Sequence, residues 1–68
     1  MIARILGVTA ERDNEIFACA ILLSGFEPDA LALSPELKEA VLPMYRALAA
    51  LPEDWRRELA WEEILNAQ

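Results

Sequence analysis

Residues 16–23, Ile-Phe-Ala-Cys-Ala-Ile-Leu-Leu, are apolar without a break. A surface helix keeps a polar stripe and an exposed strand alternates. This run does neither, so every side of it calls for cover. The residues before it decide for helix. Ala10 to Glu15 contain no Gly or Pro, and Thr9 is placed to cap. Glu11 falls in the first turn, near the partial positive charge of a helix start. Ser24-Gly25 supplies the stop, with Gly25 suited to the left-handed position and Phe26 to packing back. The pattern predicts a central helix over about 10–24, wet in its first half and buried in its second.

The second signal is Ser34-Pro35-Glu36. Ser34 caps, Pro35 takes the first helical position, where its missing N–H costs nothing, and Glu36 suits the positive end. Leu37, Val41, Met44, Leu48 and Leu51 then recur at spacings of four, three, four and three. That is one apolar stripe on a helix. Pro43 interrupts it, and an interior proline costs about 3 kcal/mol. The stripe nevertheless keeps its phase through Pro43. The expectation is a kinked but continuous helix over 35–51, the alternative being a break near Leu42. Pro52 marks the next boundary, followed by a helix over about 53–66 that opens on Glu53 and Asp54. Glu53 and Arg57 stand at i,i+4 in the favourable order.

The connectors carry less information. Glu27-Pro28-Asp29 breaks helix, because a residue before proline is pushed out of the helical region. Ala30 to Leu33 has room for a turn, and its leucines suit a gap in the core. Met1 to Val8 fits a short helix and a short strand equally. The sum is an all-α fold: a small bundle of three main helices, with a short N-terminal segment, in a single helical domain spanning 1–68. The expected core is Ile16, Phe17, Ala20, Ile21, Leu23, Leu37, Val41, Met44, Leu48 and Leu51.

Composition sharpens this picture. A chain of 68 residues buries only about 60% of its unfolded surface. Small folds compensate with disulfides, metals or oligomerisation. One cysteine excludes an internal disulfide, and the lack of histidine argues against zinc. Hydrophobic content is 56%, above the usual range of about 45–50%. The excess favours a self-association or partner surface, hence a homodimer. The run at 16–23 is far short of the ~20 residues that cross a bilayer. With no signal-peptide layout, the expected location is cytoplasmic, with no membrane partner. Twelve alanines and eleven leucines suggest a GC-rich bacterial or phage source.

The formal charge is −6, from twelve acidic and six basic residues. No basic cluster is available to neutralise phosphates, which argues against direct nucleic-acid binding. Ala3, Leu6, Gly7, Val8 and Thr9 resemble the turn of a helix-turn-helix, a small residue preceding a glycine by four. The resemblance implies a recognition helix starting near Thr9. Asp13 stands where that pattern wants an apolar residue, the helix is acidic and then wholly apolar, and no preceding helix is evident.

Catalytic chemistry finds little purchase. Without histidine the usual general base is missing. Two glycines make no phosphate loop. Thr9, Ser24 and Ser34 are better read as loop or capping residues than as nucleophiles, and Cys19 as a small core residue. Glu11 with Glu15, and Glu58 with Glu62, are carboxylate pairs at helical spacing, a pattern more common on solvated faces than at cations. No enzyme, cofactor or metal is expected.

The last helix holds the candidate site. Trp55, Glu58, Trp61, Glu62 and Leu65 share about half of its circumference. Glu58 and Glu62 repel each other, and Glu62 and Glu63 lie near the negative helix end, so local physics gives no reason for them. One reading has the tryptophans covering the central helix while the glutamates face water. The other is an aromatic anchor ringed by carboxylates, suited to a partner with an apolar pocket and a basic rim. The expected function is therefore a non-enzymatic protein–protein interaction module: an inhibitor, an antitoxin-like protein or a mobile-element accessory protein. The alternatives are a small regulator with a degenerate helix-turn-helix and an acidic nucleic-acid mimic.

Overall fold

The structure, a computed structural model, describes residues 2–67. Four helices follow one another: α1 (Ile2–Leu6), α2 (Arg12–Ser24), α3 (Pro35–Ala49) and α4 (Glu53–Asn66), with a 3₁₀ turn at Pro28–Ala30 before α3. There is no strand among the described residues. They close into a globule of 27 × 23 × 21 Å. The central element is α2, which packs along both α3 and α4, while α3 and α4 touch each other less. No helix among the described residues is long and apolar enough to cross a membrane.

The N-terminal segment resolves as helix. Five residues cannot hold a helix in water by themselves, so both ends are tied. Gly7 adopts φ 73°, its N–H bonds Arg4 O at 3.2 Å, and the Val8 N–H bonds Ala3 O at 3.0 Å. That pair of bonds is a Schellman stop, which needs the left-handed residue that glycine supplies. Ile2 and Ala3 are buried. A short helix therefore does precede the glycine of the helix-turn-helix-like stretch, contrary to the sequence reading.

From Val8 the chain runs extended. Alternate residues face opposite ways in an extended chain: Val8 and Ala10 pack on the core, while Thr9 and Glu11 face water. This explains why α2 starts at Arg12 rather than near residue 10. The cap position falls to Glu11 instead of Thr9, and no side chain bonds there. At the far end Gly25 is left-handed, φ 80°, and its N–H bonds Leu22 O at 3.3 Å. Phe26 does not pack back; it is exposed.

The apolar run is not covered on every side. Ala18, Cys19 and Ile21 are buried, Ile16, Leu22 and Leu23 half-buried, but Phe17 is 36% exposed and Ala20 faces solvent. The two large helices cover two sides of α2, and α1 is too short to close the third. Phe17 and Ala20 therefore leave the expected core, and Ile16, half-buried, does not pack on it. Ile2, Ala3, Ala18, Cys19 and Ala60 join it.

α3 follows its sequence signals closely. The Ser34 hydroxyl accepts from Leu37 N–H at 3.2 Å, and Pro35 opens the helix. Val41, Met44 and Leu48 are fully buried, and Leu37 and Leu51 pack at the margin. The helix runs without a break through Pro43, which is exposed, and ends at Ala49, two residues short of expectation. Leu31 and Leu33 pack on the core from the connector, as expected. Lys38 ties the 3₁₀ turn to α3 through Asp29 at 2.5 Å. That hydrogen bond, and then the Lys38 charge, hold the Asp29 carboxyl below its ordinary value. α4 spans the predicted residues, with Glu53 and Arg57 paired at 3.2 Å.

Candidate interaction surface on the last helix

The register of α4 is set by its least conspicuous residues. Ala60 and Glu63 are buried, and Arg56, Leu59 and Ile64 are half-buried. Alanine permits close approach to α2, which is itself lined by Ala18 and Cys19 on its buried side. Arg56 reaches back to accept a place at the end of α3, donating from Nη1 to Ala49 O at 3.2 Å. Such a donor satisfies a carbonyl that the helix end leaves free.

Glu63 is drawn inward by charge. Its carboxylate lies against the Arg12 guanidinium through Oε1, while Oε2 accepts from Ile2 N–H at 3.4 Å. Glu15, fully buried, stands 3.8 Å from Arg12 and accepts from Ala3 N–H at 3.4 Å. Two carboxylates on two helices thus receive the first N–H groups of α1, where a helix start favours negative charge. One guanidinium serves both. Among the described residues, Glu15 Oε2 accepts no hydrogen bond.

This cluster revises one sequence reading. Glu11 and Glu15 are not a paired solvated face, because Glu15 points inward while Glu11 stays outside. Cys19 sits one turn beyond Glu15 and is buried, as expected. Burial pushes its thiol up to about 11, with Glu15 adding to the rise and Arg12 opposing it. No group of three or more His, Cys, Asp or Glu among the described residues could hold a metal ion.

With Ala60 and Glu63 inward, the large apolar side chains of α4 go outward. Trp55 is 64%, Trp61 54% and Leu65 61% exposed, and Glu58 and Glu62 are exposed beside them. The tryptophans do not cover the central helix. A shallow cleft brings Glu58, Trp61, Glu62 and Leu65 together with Asn66. Trp55, nearer the start of α4, does not line it.

A second, tighter cleft of about 100 Å³ lies between α1 and α4, lined by Ile2, Ile5, Leu59, Glu62, Glu63 and Asn66. Glu62 and Asn66 belong to both clefts and form the ridge between them. Sequence reasoning missed Ile5, which is 70% exposed at the lip, and Glu63. The only hint was the unexplained pair of acids at the negative end of α4. Comparison with protein-family models, with curated proteins and with solved structures gives no match.

Proposed function

We propose that the protein is a non-enzymatic interaction module that docks another protein through the outer face of α4. One observation carries the reading: α4 buries an alanine and a glutamate while leaving Trp55, Trp61 and Leu65 in solvent. Tryptophan is enriched among residues that dominate binding energy, and a ring of carboxylates steers a basic partner. The partner is a protein with an apolar pocket and a basic rim. An inhibitor, an antitoxin-like protein or a mobile-element accessory protein would act in this way.

The test is kinetic, on the partner isolated from the native host. Glu58→Lys with Glu62→Lys should leave folding intact, slow association and weaken its salt dependence. Trp61→Ala should speed dissociation, costing about 2 kcal/mol or more if Trp61 is a hot spot. Wild-type binding by both variants would place the recognition surface elsewhere.

A second reading rests on α2. Its open stripe of Phe17 and Ala20, flanked by half-buried Ile16 and Leu23, is apolar with one charge, Asp13, at its start, the character of a surface that pairs with its own copy. Facing α4 surfaces would instead bring Glu58 and Glu62 against like charges. A homodimer through α2 leaves α4 free for the partner. Light scattering at micromolar concentration should exceed the 7.6 kDa monomer mass, and a value of 7.6 kDa refutes the dimer.

A further inference from the structure

The cleft between α1 and α4 has an unusual lining. Ile2, Ile5 and Leu59 form apolar walls, while Glu62, Glu63 and Asn66 supply oxygen acceptors. A purely apolar side chain would strip water from those acceptors and return nothing. A bare metal ion would waste the walls. A long cationic side chain suits both halves, because its methylene stem covers apolar surface while its head stays polar.

The charges agree. Behind the cleft, Arg12 is one positive charge facing the two negative charges of Glu15 and Glu63. At the lip Glu62 is exposed and has no ion pair among the described residues. Glu63 lines the cleft at 6% exposure, its Oε1 held by Arg12 and its Oε2 by the Ile2 N–H, so it supplies negative charge from behind the lip. Among the described residues, no lysine or arginine lines the cleft. It also sits at the last turn of α4, where the helix dipole and free carbonyls favour a cation. Glu62, which nothing within α4 explains, has a role there.

We infer that the cleft between α1 and α4 is a slot for a lysine or arginine side chain of the docked partner. The stem lies between Ile5 and Leu59, and the head meets Glu62, Asn66 and the Glu63 carboxylate. Across the Glu62–Asn66 ridge, the Trp61–Leu65 cleft takes a large apolar side chain. The two clefts therefore read a basic residue and an apolar residue set side by side. The inference rests on α4 being the docking face for its source of ligand, but the slot itself can be tested alone.

The experiment is an NMR titration of the full chain with Nα-acetyl-lysine methylamide, its arginine counterpart and its norleucine counterpart. The norleucine compound keeps a four-carbon stem and lacks the ammonium. The cationic amides should shift the Ile2, Ile5 and Leu59 methyl signals saturably. Norleucine should bind about tenfold more weakly, the loss of one charge-assisted hydrogen bond. Glu62→Gln should weaken the lysine response, as should Ile5→Ser, which alters an exposed residue and leaves the fold intact. Trp61→Ala should leave it unchanged. Equal responses to lysine and norleucine, shifts spread evenly over the surface carboxylates, or no saturable shift would each overturn the slot. If the amides fail while Trp61→Ala still weakens binding of the native partner, the slot falls and the α4 docking face stands. If the amides bind while the α4 variants bind that partner normally, the slot stands as a basic side-chain site and the α4 face falls.

Discussion

The guanidinium of Arg12, in the first turn of α2, lies against the carboxylate of Glu63, in the last turns of α4. The same carboxylate accepts from the Ile2 backbone, so one side chain joins three helices. Removing one partner of a buried pair costs more than the pair contributes, because the other charge is stranded. Arg12 is 37% exposed and rehydrates, which limits that cost.

Glu63→Ala should therefore destabilise the fold by about 2–3 kcal/mol, below the 3–5 kcal/mol of a fully buried pair. Glu15→Ala, at a fully buried position, should cost a similar amount. The double variant should lose less than the sum, since both acids share Arg12 and the start of α1. Urea unfolding of the three variants measures this directly. Strict additivity would mean that the two acids act independently.

The second prediction separates the centre of the sequence from the centre of the fold. Phe17 lies in the longest apolar run yet is 36% exposed, whereas Met44 is fully buried. Phe17→Ala should cost about 1–2 kcal/mol in the monomer, well under the 3–5 kcal/mol of a buried phenylalanine. Met44→Ala should cost about 2–5 kcal/mol, a large share of the stability of a domain this small. Melting curves over a dilution series, compared at concentrations where light scattering gives the monomer mass, decide between them. A larger loss at Phe17 than at Met44 would reverse the assignment of the core.

How legible this was in the sequence differed from helix to helix. Ser34-Pro35, Pro52 and an in-phase stripe fix α3 and α4, because caps and period are local physics. The five outer residues of α4 were equally legible as a group, since a helical wheel follows from spacing alone. Which face of α4 turns inward was not. Glu63 reads as a surface residue until Arg12, from another helix, is placed beside it. The same holds for Phe17: an unbroken apolar run demands cover, but only the lengths and positions of its neighbours decide which side receives it. Ile5 was missed because the short helix that carries it depends on tertiary ties at both ends.

The third prediction concerns alkaline pH. Burial raises the Cys19 thiol from 9.0 to about 11, with Glu15 assisting. Between these values the unfolded chain has lost the proton and the folded chain keeps it. Stability is fully present below about pH 9 and declines as pH rises through 11, by up to about 3 kcal/mol. Other groups titrate in the same window, so the measurement is a difference. The stability of wild type relative to Cys19→Ala should fall from pH 9 to 11. A flat difference would mean that the thiol ionises as freely in the fold as outside it. At neutral pH the same burial should make alkylation by iodoacetamide slow unless urea is added.

The last prediction addresses the observation on which the function rests. Trp55 and Trp61 are both more than half exposed. Variants Trp55→Phe and Trp61→Phe each leave one reporter, and both changes fall on the solvent side of α4, so neither should alter the melting curve much. In the free protein each remaining tryptophan should emit close to the wavelength of the free amino acid and be quenched readily by acrylamide. Blue-shifted, protected emission would mean that the ring is packed against the bundle, and the docking face would lose its anchor. On addition of the partner, Trp61 should become protected before Trp55. Trp61 lines the cleft with Glu58, Glu62 and Leu65, whereas Trp55 lies outside it, nearer the start of α4. Equal protection of both would extend the docking surface along the whole helix. Protection of Trp55 alone would move it to the helix start, away from the Glu62–Asn66 ridge and from the basic side-chain slot beside it.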